Sequence, residues 1–172
     1  MLVVISGLPG TGKSAVATGV AGDLGAVHLS IDTVEDALLG AGCPRSWTTG
    51  VAAYEAVRAA AEQNLDLGRT VVVDAVNDSE PARETWRRAA ATTGSPLVFV
   101  LLSVDDEDEH RRLLEGRQRN LRNVLEPTWD DVRRRRATFE PWSDVNLRVS
   151  AGGTLQQMTA VILAGLSTTP DG

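Results

Sequence analysis

Cysteine, lysine and long apolar runs are what this 172-residue chain has least of. Cys43 is the single cysteine, so no internal disulfide is possible, and no His or Cys cluster accompanies it to make a zinc site. A reducing, cytoplasmic setting is expected. No apolar stretch reaches the roughly 20 residues that cross a bilayer, and no basic leader or cleavage site accompanies the apolar N-terminus. A soluble protein without a membrane partner is the expectation. Positive charge is not in excess either: the net charge of −6 argues against a surface built mainly for nucleic-acid backbone and favours a small-molecule substrate. The length suits one domain, expected over residues 1–166, as monomer or homodimer, with a disordered tail at 167–172.

The scarcity of lysine is informative because of where the exception sits. Among 17 lysines and arginines there is a single lysine, Lys13. It belongs to Gly7-Leu8-Pro9-Gly10-Thr11-Gly12-Lys13-Ser14, between the apolar run Leu2-Val3-Val4-Ile5 and Ala15-Val16-Ala17. This fits G-x-x-x-x-G-K-[ST] at every fixed position, in strand-then-helix context. The glycines let backbone N–H groups point inward, and the helix N-terminus adds partial positive charge, so the loop is a cradle for the phosphates of ATP. A compact ammonium fits inside such a loop where a planar guanidinium does not. Lys13 is expected to reach the outer phosphates and Ser14 to hold Mg²⁺.

Along the chain, short apolar runs alternate with helical patterns. Strands are expected over 2–6, 26–30, 69–74, 97–103 and 145–149. Helices are expected over 13–24, 33–39, 48–67, 79–92, from 105 and from 127, with a last one over 154–166. His28 reads as a core or strand-face histidine. The four arginines 133–136 point in several directions around a helix, so most of them belong on the surface. The fold class is α/β, an open five-stranded parallel sheet with helices on both faces; the loop resembles that of the P-loop NTPases, which implies the kinase-type order 2-3-1-4-5 and an arginine-rich lid after the fourth strand, at about 112–127. Ligands bind at the carboxyl ends of the strands, where the loop 7–14, Asp32 and Asp74 all fall.

Phosphoryl transfer requires a phosphate cradle, a metal, a group that orients or deprotonates the acceptor, and cations over the transferred group. Asp32, ending the second strand about 10 Å from the loop, is the candidate general base, with a helix cap as the competing role. Asp74, beside Ser14, is the candidate magnesium carboxylate, with a loop or helix cap as its alternative. If the strand order differed, the two aspartates would exchange roles. In the lid, Arg117 and Arg119 are the candidates for stabilising the transition state, and Arg111 or Arg112 for stacking on adenine. Glu35, Arg45, Trp47, Tyr54 and Asn77 are the candidate substrate residues, with the aromatics equally able to be core.

The succession GLPGTGKS, LSIDTVEDAL, VVVDAVN, an arginine-rich segment and TFEPW resembles the AAA-type predicted kinases of the P-loop group. That group includes the zeta toxins, chloramphenicol phosphotransferase and the kinase domain of polynucleotide kinase. The resemblance covers almost the whole chain, though only the phosphate loop is highly specific. It implies an acceptor-activating aspartate at Asp32. Polynucleotide kinases carry an arginine three residues later, where this chain has Glu35, a carboxylate that would repel a substrate phosphate. The expected function is therefore transfer of the ATP γ-phosphoryl group to a hydroxyl of an uncharged or cationic small molecule such as a sugar, nucleoside or antibiotic. The alternatives are a nucleotide-driven switch and a nucleotide-sugar or polynucleotide kinase.

Overall fold

The computed structural model describes residues 1–117 and 121–168. Five strands, β1 (Leu2–Ser6), β2 (Val27–Ser30), β3 (Val71–Ala75), β4 (Leu97–Ser103) and β5 (Leu147–Ser150), form one parallel sheet ordered β2-β3-β1-β4-β5. The register sets Ile5 beside Asp74 and Val100, and Ser30 beside Asp74. Every residue of β1 and β3 is buried, because helices cover both faces and a central parallel strand has no wet side.

The period of two along each strand divides the interior into two layers. Val3, Ile5, Val72, Val98, Val100 and Leu102 pack on α1 (Lys13–Leu24) and α7 (Leu155–Thr168). Leu2, Val4, Val71, Val73, Phe99 and Leu101 face the opposite layer, built from α2 (Ile31–Gly40), α3 (Trp47–Asp66) and α4 (Glu80–Thr93) with Trp86 and Trp142. Two further helices, α5 (Glu107–Gly116) and α6 (Trp129–Thr138), follow β4 and flank the connection 117–128.

Several element ends differ from the sequence expectation for local reasons. Helix α2 begins at Ile31, so Asp32 lies inside its first turn and Ser30 takes the cap position. Ser79 stands at the N-cap of α4 but makes no side-chain cap bond; the Glu140 carboxylate accepts from the Glu80 N–H instead, at 2.5 Å. Asp106, not Asp105, caps α5 by accepting from Glu109 N–H at 2.8 Å. Thr128 and Asp131 form a reciprocal capping box that starts α6 one residue later than Pro127-Thr128 suggested. The lid bound at 112 also moves, since α5 continues through Gly116. Helix α7 carries on through Ser167 and Thr168, whose hydroxyls bond back to the Leu163 and Gly165 carbonyls, so those two residues are not tail. Residues 169–172 lie outside the described residues, as does Arg119.

Candidate active site

The phosphate loop leaves the C-terminal end of β1 and turns on Gly7, at φ 148°. A Cβ there would stand 2.5 Å from the Leu102 carbonyl oxygen on β4, so only glycine lets the chain pass this close to the neighbouring strand. The Leu8 carbonyl then gathers the loop: it accepts from the Thr11 N–H at 3.3 Å, the Thr11 hydroxyl at 2.9 Å and the Lys13 ammonium at 3.2 Å. Lys13 is buried and held inside the loop's own curl, at the first residue of α1, where the helix dipole favours anions. Leu8, Pro9, Gly10 and Gly12 complete the cradle.

Beside it is a polar knot that joins β2, β3 and α1. Asp74, 2% exposed at the end of β3, accepts from the Ser14 hydroxyl at 3.2 Å and the Ser30 hydroxyl at 3.1 Å through one oxygen. Its other oxygen takes the Nε2–H of His28 at 2.8 Å, while Nδ1 of the same imidazole faces the Thr18 hydroxyl at 3.4 Å. His28 is thus the strand-face histidine the sequence suggested, with a task that only strand order reveals: it fixes the Asp74 carboxylate. The Ser14 hydroxyl and Asp74 carboxylate are hard oxygen donors of the kind Mg²⁺ takes, so these residues fit the metal. Among the described residues no cluster of three or more His, Cys, Asp or Glu is arranged for any metal.

On the β2 side lies a cleft of ≈680 Å³, walled by Asp32 and Glu35 from α2, Trp47 and Tyr54 from α3, and Asp78 and Arg135. The strand order places β2 two spacings from β1, about 10 Å, which is the separation the acceptor reading of Asp32 needs. Trp47 is 83% exposed at the mouth. Tyr54 has its ring against Trp86 at 5.9 Å, its hydroxyl accepts from the Asn77 N–H at 3.4 Å, and burial holds its phenol protonated.

Two candidate substrate residues have other work. Asn77 is fully buried at φ 54°, donating to the Ser6 hydroxyl at 2.8 Å and accepting from the Trp86 indole at 2.9 Å. It therefore shapes the β3–α4 corner and is not a substrate contact. Arg45 is not part of the cleft wall and donates to the Asn123 carbonyl. The reason is a clasp the sequence did not reveal: Asp36 on α2 accepts the backbone N–H groups of Arg122, Asn123 and Val124 at 3.0, 2.6 and 2.9 Å, pinning that part of the 117–128 connection to α2. Those bonds push the Asp36 carboxyl below its usual range.

Of the lid arginines, Arg117 is mostly buried and pairs with Glu126 at 2.6 Å, beside a cleft of ≈580 Å³ between α5 and α6. Arg111 is exposed and pairs with Glu115 at 2.8 Å, and Arg112 is exposed on α5. Another arginine, Arg83, carries the packing beneath the cleft, and nothing in the pattern of α4 distinguishes it from its surface neighbours. It is 0% exposed, donates to the carbonyls of Asn77, Pro141 and Glu140, and lies 4.4 Å over Trp142.

A β1 strand ending in a phosphate loop, with Ser14 at the start of α1 bonded to Asp74 on the adjacent strand, defines a P-loop nucleotide-binding protein of the kinase strand order. The chain belongs to the AAA domain family, which it matches over residues 2–141. Solved structures share the architecture. A sugar kinase from Janibacter sp. HTCC2649 is 18% identical with a TM-score of 0.73, covering 98% of this chain and 95% of that one. A gluconokinase from Sinorhizobium meliloti 1021 is 22% identical with a TM-score of 0.68, covering 96% and 90%. The APS kinase CysC of Mycobacterium tuberculosis, solved with AMPPNP and APS, is 22% identical with a TM-score of 0.74, covering 97% of each chain. No functionally curated protein matches the chain. No helix among the described residues is long and apolar enough to cross a membrane.

Proposed function

We propose that the protein is an ATP-dependent phosphotransferase that moves the γ-phosphoryl group of ATP to a hydroxyl of a small molecule in the cytoplasm. The observation that supports this reading is a roomy cleft, with Asp32 in its wall, formed by segments that follow β2 and β3 at the same carboxyl edge of the sheet from which the phosphate loop leaves β1. A switch needs the loop but has no use for the cleft. That similar folds serve a sugar kinase, a gluconokinase and an APS kinase supports the same chemistry here.

In this mechanism the loop amides and Lys13 bind the β- and γ-phosphates and stabilise charge that spreads over the transferred group. Ser14 and Asp74 would hold Mg²⁺, which would supply neutralisation of phosphate charge. Asp32 accepts the acceptor's hydroxyl proton as the new O–P bond forms and the bond to the β-phosphate oxygen breaks, releasing ADP. Arg117 closes on the transition state, with Arg119 as a second candidate and Arg111 or Arg112 against the base. The acceptor is uncharged or cationic, since Asp32, Glu35, Glu55, Asp78 and Glu84 outnumber Arg88 and Arg135 around the cleft. The test is ATP consumption by the purified protein against a panel of sugars, nucleosides and aminated antibiotics, with mass spectrometry of the products. A phosphorylated product that disappears in Lys13→Ala is expected. ATP hydrolysis with no phosphorylated product across the panel would favour a switch.

A further inference from the structure

Among the described residues, a buried imidazole stands outside the mechanism. His110 on α5 is 0% exposed, and its Nε2 lies 2.8 Å from the carbonyl of Pro9, inside the phosphate loop. A carbonyl only accepts, so the proton is on Nε2. Nδ1 then offers a lone pair, which receives Nη2 of Arg136 from α6 at 2.7 Å. Trp129, the first residue of α6, meets the imidazole edge-on with centroids 5.4 Å apart. Arg136 is itself oriented by Glu107 at 3.2 Å and the Val104 carbonyl at 3.4 Å. A directed chain of bonds thus runs from α6 through one side chain of α5 into the loop.

The contact is close-fitting. Gly10, the residue after Pro9, has φ 93°, and a Cβ there would stand 3.2 Å from the His110 ring and 3.1 Å from the Leu114 side chain. The loop lies directly on α5, without space for an intervening group.

We propose that His110 is a positioning residue of the phosphate loop: its Nε2–H keeps the Pro9 carbonyl turned toward α5, so the amides that follow face the nucleotide, while its Nδ1 registers Arg136 on α6. This rests on reading the loop as a nucleotide site. Helices α5 and α6 are the two joined by the connection that carries Arg117, and this imidazole hydrogen-bonds to both α6 and the loop, so a shift between the helices bears on the loop through it. Only the neutral ring can donate to Pro9 and accept from Arg136 together. Its surroundings keep it neutral: burial first, with the cations of Arg136 and Lys13, lowers its pKa, against the opposing Pro9 bond and Glu107.

Two variants separate the two ring nitrogens. His110→Gln retains an amide N–H at about the reach of Nε2. His110→Asn retains an amide oxygen at about the position of Nδ1 and cannot reach Pro9. Both place an amide in the same buried site, so both are expected to melt at a lower temperature than wild type. Hydrogen exchange at residues 8–12 is measured in ligand-free protein against the amides of β1, and binding of Mg-AMPPNP by calorimetry. In His110→Asn the loop amides should exchange roughly tenfold faster with β1 less affected, and AMPPNP should bind roughly tenfold more weakly, the scale of one lost hydrogen bond. His110→Gln should stay within about threefold of wild type in both. Equal behaviour of the two variants, or loop exchange that merely follows melting temperature, would overturn the proposal. If a His110 variant does not fold, Arg136→Gln takes its place: it keeps the imidazole, should speed loop exchange by a smaller factor, and an unchanged loop overturns the relay. A wild-type protein that binds no AMPPNP would remove the nucleotide reading instead, while the ligand-free exchange data still decide the Pro9 tie.

Discussion

Replacing Arg83 by methionine should cost the fold about 3–5 kcal/mol, because truncating a buried, fully bonded cation strands its partners. The guanidinium donates through Nε to the Asn77 carbonyl at 3.1 Å, through Nη1 to Pro141 at 2.8 Å and through Nη2 to Glu140 at 2.7 Å. Hydrogen bonds from a charged donor contribute about 1.5–3 kcal/mol each, and their sum is reduced because burying the cation also costs solvation. Methionine keeps an apolar stem but loses the guanidinium that lies over Phe139 and Trp142, so the measured loss reports on the fork together with its cation–π contacts. Against a total stability of about 5–15 kcal/mol this is a large fraction, and at about 2–4 °C per kcal/mol the melting temperature should fall by roughly 10 °C. Urea unfolding followed by far-UV circular dichroism gives the free energy directly. Arg83→Lys should be intermediate, since an ammonium cannot serve three carbonyls in one plane or stack on Trp142. A loss below about 1 kcal/mol in Arg83→Met would refute the reasoning, showing that the three carbonyls find water once the fork is gone.

Asp32→Asn should leave Mg-AMPPNP affinity nearly unchanged and lower kcat by about 10²–10⁴-fold, the range of a positioned acid or base; near-wild-type turnover on an identified acceptor would remove that role. Arg117→Ala should lower kcat more than it raises KM for ATP, since its contact is expected to strengthen in the transition state, whereas a change confined to KM would make it a nucleotide-binding residue. The pH dependence follows from His110, whose pKa is held below its ordinary value of 6.5 in the fold. Its contribution to stability is complete above pH 6.5 and is lost as the pH falls through the folded value, so the urea midpoint should drop between pH 7 and pH 5 and drop less in His110→Gln. Carboxylates such as Asp131, pushed down to about 2, titrate lower and do not obscure this window; identical slopes in both proteins would count against it.

The strands themselves, the phosphate loop and the placing of Asp32 and Asp74 just at or after the ends of β2 and β3 were legible in the sequence because each depends on chemistry within a few residues, whereas the order of the strands came only from the resemblance to P-loop kinases. A short, β-branched apolar run bounded by turn residues suits a buried parallel strand, and a glycine-rich turn ahead of a Lys-Ser helix start suits a phosphate loop. What the sequence could not decide was which polar side chains meet across the fold. His28 and Asp74 are 46 positions apart and meet because β2 pairs with β3; His110 and Pro9 are 101 apart and meet because β4 pairs with β1. Asn77 was a candidate substrate residue, yet the corner turns it inward onto Ser6 and Trp86. Arg83 and Arg136 looked like every other arginine, since composition records charge and not burial. Local pattern fixes elements and loops through short-range backbone geometry; the partners of a polar side chain are set by long-range packing, which only the assembled sheet and its helices determine.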